Sequence, residues 1–257
     1  MTTSSRSRRD SRDRRDRLAV ALLLGLGALA YTAWTLEAVL PTGLAPARTY
    51  VSELAARDQP HGGLFRTTDL LAGVLLWAGA LWALLRLPSR GRWNTAGWTT
   101  VVLFGAATAV DSRLPMSCTP TVDRLCAQRE HAGLVPVTHT AHATSSTIAV
   151  GGALVAMLAL THAARRTTPT SLLARLGPPL VVLELASTLW TLAAVAAFEE
   201  GYGDWSLGIA QRLQVGLIAV WLGTLALTLT RPAPPPKAPA KATTATTAAA
   251  TTAPTPR

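Results

Sequence analysis

The stretch AVDSRLPMSCTPTVDRLCAQREHAGLVPVTHTAHATSS, residues 109–146, decides the fold. An apolar run ends on Asp111, a polar loop carries Cys118 and Cys126, and a second apolar run opens with His139, His142, Ser145 and Ser146. Positions 139, 142 and 146 are spaced i, i+3, i+7, so on a helix they share one face. Ionisable side chains therefore border two apolar segments, which predicts a site where polar chemistry meets a membrane.

Working outward, the 257 residues are 49% hydrophobic and only 15% charged, with mean hydropathy +0.28. A soluble domain carries nearer a quarter charged residues. The composition predicts an all-α, polytopic membrane protein. A net charge of +10 would suit a nucleic-acid partner only if the basic residues formed one surface patch. Here they follow topology, so no nucleic-acid partner is expected.

Residues 1–17 hold seven Arg and three Asp and read as a basic, disordered tail. Apolar runs long enough to span, at about 20 residues each, follow at Leu18–Leu40, Phe65–Leu87, Trp93–Asp111, Val137–Ala163, Pro178–Phe198 and Leu207–Thr230. Residues 18–230 thus form a transmembrane domain of six helices, and the Pro/Ala/Thr-rich segment 231–257 is a second disordered tail. Of the 24 basic residues, 17 fall in the two tails and in the second-to-third and fourth-to-fifth connections, for example Arg86, Arg90, Arg92, Arg165, Arg166 and Arg175. The positive-inside rule then places both termini in the cytoplasm and the cysteine loop outside the cell membrane. An extracytoplasmic loop with two cysteines predicts a Cys118–Cys126 disulfide; the spacing does not suit a CxxC metal or redox motif.

Charged groups inside spans cost roughly 2.5–3.5 kcal/mol each at the helix centre, so they tend to face the bundle interior and mark function. Glu37, Asp69, Asp111, His139, His142 and Arg212 all fall near the outer ends of their spans. Arg212 is the one cation among them, and an ion pair with Asp69, Asp111 or Glu37 would lower its cost. His139 and His142 at i, i+3 could share a zinc ion with Asp111, Glu53 or His131, and Ser146 could act as nucleophile or oxyanion donor. Buried histidines satisfied by carboxylates are the commoner outcome. Haem ligation fits worse, because His139, His142 and His162 all lie on one predicted helix. Glu184, deep in the fifth span with no basic partner in view, reads as a protonated, hydrogen-bonded carboxyl or a proton relay. Gly151, Gly152 and Ala156 suit close helix packing.

The loop TYVSELAARDQPHGGLFRTTDLLAG, residues 49–73, resembles the signature of a bacterial integral membrane family, domain of unknown function 998, common in actinobacteria. The likeness continues through Asp111, the cysteines, the His-rich opening at His139, His142 and Ser146, and the segment GIAQRLQVGLIAVWL. It covers residues 18–230 and implies six helices, with Ser52, Glu53, Pro60, Phe65, Asp111, His139, His142, Gln211 and Arg212 as pattern residues. A more distant likeness of the first loop is to the six-helix damage-regulated autophagy modulators.

The function expected first is recognition or handling of a lipid or small amphiphile, with membrane lipids as partners, in a polar outer-leaflet pocket involving Ser52, Glu53, Asp69, Gln211 and Arg212. A membrane hydrolase, metal-dependent or not, using Asp111, His139, His142 and Ser146 is the alternative. A small transporter is third.

Overall fold

A computed structural model describes residues 3–89 and 91–231; Arg90 and the tail at 232–257 lie outside the described residues. Within them every regular element is helical. The long helices are α1 (Thr3–Tyr31), α2 (Gly62–Arg86), α3 (Arg92–Asp111), α5 (Val137–Thr167), α6 (Leu172–Glu199) and α7 (Leu207–Thr230); α4 (Arg124–His131) is short, and 3-10 turns cover Ala33–Ala38 and Val51–Ala55.

Five helices are long and apolar enough to cross a membrane: α2, α5, α6, α7 and the segment Asp10–Ala38, which takes in most of α1 and the 3-10 turn after it. This is the constitution of a multi-pass membrane protein. The third predicted span, α3, is not among the five, because Arg92, Asn94, Thr95, Thr99 and Thr100 dilute its apolar content. Thr100 compensates locally by donating to the Ala96 and Gly97 carbonyls at 3.0 Å.

Contacts run from α1 to α2, α2 to α3, α3 to α5, α5 to α6, α6 to α7 and back from α7 to α1, so the six long helices close on one another. Leu24, Leu76, Phe104, Met157, Ile218, Trp221 and Leu222 are buried inside, whereas Leu22, Leu29, Leu85, Val182, Leu189 and Leu192 point outward and are exposed. Apolar side chains on both faces are what a helix between a protein core and lipid tails requires. Trp221 is buried and donates to Thr161 Oγ1 at 3.3 Å.

The backbones of α2 and α3 approach closely at two glycines. A Cβ on Gly73 would lie 2.5 Å from Ala109 N, and one on Gly105 would lie 2.5 Å from Trp77 N. The small-residue face predicted on the fourth span is only partly used: Gly152 faces the Phe104 backbone at 3.2 Å, but a Cβ on Gly151 meets nothing within 4 Å.

Other boundaries depart from expectation. The basic segment read as a disordered tail is helical from Thr3 and continues into α1, which ends at Tyr31 instead of Leu40. Arginine is a good helix former, so an adjoining apolar helix can propagate into such a segment once nucleated. The connection read as residues 165–177 shrinks to a short turn, because Ser171 caps α6 by accepting from Ala174 N at 3.2 Å. The cysteine loop contains α4, capped by Asp123 accepting from Leu125 N at 2.9 Å.

Candidate functional site

The site lies at the end of the helices that carries the cysteine loop. Cys118 and Cys126 form a disulfide with Cα atoms 6.0 Å apart. That loop is tied to the first loop by buried hydrogen bonds. Glu53, fully buried, accepts from Tyr50 N at 3.0 Å and from Thr121 through both N–H (2.9 Å) and Oγ1 (2.5 Å). Asp58 accepts from Thr119 N and Oγ1 at 3.2 Å, and Arg57 N–H donates to the Met116 carbonyl at 3.0 Å.

Burial raises the Glu53 carboxyl above its ordinary value, against the lowering effect of the Thr121 and Tyr50 hydrogen bonds. The folded chain then holds this proton to higher pH than the unfolded chain. Its contribution to stability is full below the unfolded carboxyl range and is lost as pH rises through the folded value. The stability difference between wild type and Glu53→Gln, measured by thermal unfolding in detergent, should therefore move against wild type as pH climbs from about 4.5. A difference independent of pH would refute this assignment.

Beneath the loops, the ends of the helices enclose a cavity of about 140 Å³. Its polar wall is Ser52, Asp69, Asp111, Ser146, Gln211 and Gln214; Tyr31, Trp34, Leu54 and Phe65 supply much of the apolar wall. Six of the residues singled out in the sequence, Ser52, Phe65, Asp69, Asp111, Ser146 and Gln211, thus line one space. Gln211 Oε1 also accepts from Val51 N at 2.7 Å, fixing the 3-10 turn that carries Ser52.

Asp111 is the most heavily bonded of the cavity residues. Ser145 Oγ makes a short hydrogen bond to its Oδ1, Ser146 Oγ lies 3.1 Å from both oxygens, and His142 Nδ1 lies 3.1 Å from Oδ1. His142 Nε2 is 3.4 Å from Ser146 Oγ. Asp69, by contrast, makes no hydrogen bond or ion pair among the described residues, and the buried Trp34 Nε1 has no partner. Tyr31, Trp34 and Gln214 were missed in the sequence, and Ser145 was noted there without a role; of the missed residues Gln214 alone left a signal, standing i+3 from Gln211.

Two of the five residues predicted for the lipid pocket do not line the cavity. Arg212 is buried and doubly paired with Glu37, Nε to Oε1 at 2.7 Å and NH2 to Oε2 at 2.6 Å. Its NH1 donates to the Thr49 and Gly208 carbonyls at 2.8 and 3.1 Å. Gly208 lets α7 seat against the first loop, since a Cβ there would lie 2.2 Å from the Pro46 carbonyl oxygen. Glu37 is the carboxylate that pairs with Arg212, and Asp69 and Asp111 are left to the cavity. Glu53 is consumed in holding the loops together.

The two imidazoles meet different partners. His139, buried, receives hydrogen bonds at Nδ1 from Ser117 N (3.1 Å) and sits 2.9 Å from Ser117 Oγ, with Nε2 3.3 Å from Glu130 Oε1. His142 faces Asp111. Among the described residues no three His, Cys, Asp or Glu side chains group as ligands for a metal ion, and a tetrahedral zinc site needs at least three protein ligands. Glu184 is fully buried, and a chain runs from it to the cavity wall: Thr188 Oγ1 donates to Glu184 Oε1 at 3.4 Å and receives from Gln214 Nε2 at 2.8 Å.

Fold and site together define a multi-pass helical membrane protein with an acidic cavity at the disulfide end. The chain belongs to the family described as a protein of unknown function (DUF998), whose model matches residues 9–228. No curated protein and no solved structure matches it.

Proposed function

We propose that the protein spans the cell membrane with six helices and both termini in the cytoplasm, and that its outer-leaflet cavity binds the polar head of a small amphiphile that is cationic or a hydrogen-bond donor. The carrying observation is that Asp69 and Asp111 line one cavity while Arg212 is held by Glu37. Asp111 has His142 and two serines; Asp69 makes no hydrogen bond or ion pair among the described residues and is the carboxylate a ligand ammonium would meet. At about 140 Å³ the space is well below the ~300–1,000 Å³ that encloses a drug-sized ligand, so it suits a headgroup and leaves the tail to lipid. Trp34 and Phe65 supply aromatic wall beside the carboxylates, a combination that favours a cation. For the sixth span, α3 packs between α2 and α5, and the Thr100 hydroxyl is satisfied on its own helix by the Ala96 and Gly97 carbonyls. The basic residues at the opposite end support the cytoplasmic termini.

The full-length chain in an uncharged detergent should bind a short-chain alkylammonium at least tenfold more tightly than the matched alkyl carboxylate, read by quenching of the indole signal that Trp34→Phe removes. Asp69→Asn should weaken the ammonium by about tenfold or more, since hydrogen bonds to charged groups contribute about 1.5–3 kcal/mol. Equal affinity for both probes, or unaltered binding by Asp69→Asn, would end the proposal.

A hydrolase is the second reading, favoured by the order Asp111, His142, Ser146, which matches acid, base and nucleophile. The Ser146 hydroxyl leans toward both Asp111 oxygens, which weighs against it. An alkyl fluorophosphonate in the same preparation separates the two readings: labelling abolished by Ser146→Ala supports hydrolysis, and unlabelled protein removes it.

A further inference from the structure

At the opposite end, the long helices surround a second cavity of about 190 Å³, to which residues in or beside all six contribute. Its rim carries Arg17 from α1 and Arg231 just past α7, and no Asp or Glu lines it. Neither guanidinium makes an ion pair or hydrogen bond among the described residues, although Arg17 is half-buried. The acid next to it, Asp16, is engaged elsewhere, accepting from Trp82 Nε1 at 3.1 Å. Asn94, also half-buried on the wall, has no side-chain hydrogen bond, and the Ser171 hydroxyl stands at the capped start of α6. Below this polar rim the wall becomes apolar at Trp98 and Leu225, both buried.

Two unpaired cations over an apolar floor match a ligand with an anionic head and a hydrocarbon body. A half-buried guanidinium without a counter-charge is costly, and a phosphate oxygen pair is the acceptor its planar fork fits. Basic pockets between transmembrane helices bind anionic lipid heads on this principle. We infer that this cavity is a binding site for an anionic phospholipid, its phosphate between Arg17 and Arg231 and the start of its acyl region against Trp98 and Leu225. It is separate from the acidic cavity at the disulfide end and selects the opposite charge.

The test uses the full-length chain in phosphatidylcholine nanodiscs doped with phosphatidylglycerol, counting retained lipids by native mass spectrometry. Phosphatidylglycerol should be retained in preference to phosphatidylcholine. Arg17→Gln and Arg231→Gln should each weaken retention by about fivefold and the double variant by about thirtyfold, the effect of about 1 kcal/mol per basic residue. Arg165→Gln with Arg166→Gln removes equal charge from exposed positions outside the cavity and should leave retention unchanged. The inference fails if the cavity double variant retains phosphatidylglycerol like wild type, or if the control pair weakens retention as much. It also fails if inorganic phosphate displaces the lipid as well as a soluble short-chain phosphatidylglycerol does.

Discussion

Glu37→Ala is expected to cost about 3–5 kcal/mol of stability, because it strands the Arg212 charge in a site sealed from water. Both Glu37 oxygens bond the guanidinium, at 2.7 and 2.6 Å, and the two side chains are only 6% and 10% exposed. The remaining donors of Arg212 hold the Thr49 carbonyl and the Gly208 carbonyl of its own helix. One ion pair thus joins the end of the α1 segment, the first loop and α7. Removing the carboxylate leaves a cation whose desolvation nothing offsets. Replacing both partners, Glu37→Gln with Arg212→Gln, removes both charges and should restore a substantial part of the loss. Thermal unfolding of purified protein in detergent reads the cycle. A single variant costing no more than a surface substitution, under about 0.5 kcal/mol, would show that the pair is not load-sharing and that Arg212 is available to a ligand.

The second large effect is expected at the α2–α3 contact. Gly105→Ala should cost about 1–3 kcal/mol and Gly105→Val more, since an added methyl meets backbone and not a flexible side chain. The obstacles are Trp77 N at 2.5 Å and Gly73 O at 2.8 Å, so relief requires the two helices to separate as bodies. The consequence is amplified because α3 is not among the helices apolar enough to span by composition and depends on α2 and α5 for its place. Gly151→Ala, with nothing within 4 Å, is the matched control and should change stability by less than about 0.5 kcal/mol. Equal melting of Gly105→Val and Gly151→Ala would mean that α2 and α3 are not in close contact.

These two contacts show how much a linear reading can carry. Ionisable residues in otherwise apolar runs are conspicuous, so Asp69 and Asp111 stand out in the sequence, whereas Ser52 and Gln211 come with the family pattern and Ser146 with the histidine face; that all five line one cavity is visible only in the structure. Glycines in a membrane helix are not conspicuous. Gly151–Gly152 drew attention as a pair, yet the tight crossing uses Gly73 and Gly105, far apart in sequence and matched only when α2 meets α3. Charge sign likewise marked Arg212 as needing an acid without selecting among Glu37, Asp69 and Asp111. Partner choice depends on helix rotation, which periodicity leaves free when a helix is apolar all round.

By itself the order of residues determined the helical membrane class, the disulfide pair, the family and the end of the molecule where polar groups gather. Hydrophobic burial and charge cost act on each segment separately, so they can be read one segment at a time. Tertiary structure alone decided that Glu37 takes Arg212, that Glu53 and His139 are spent on the loops, and that Asp69 keeps an unpaired carboxylate toward the cavity. Hydrogen bonds and ion pairs act over a few ångströms between residues as many as 175 positions apart, and only the packing of the helices sets those distances.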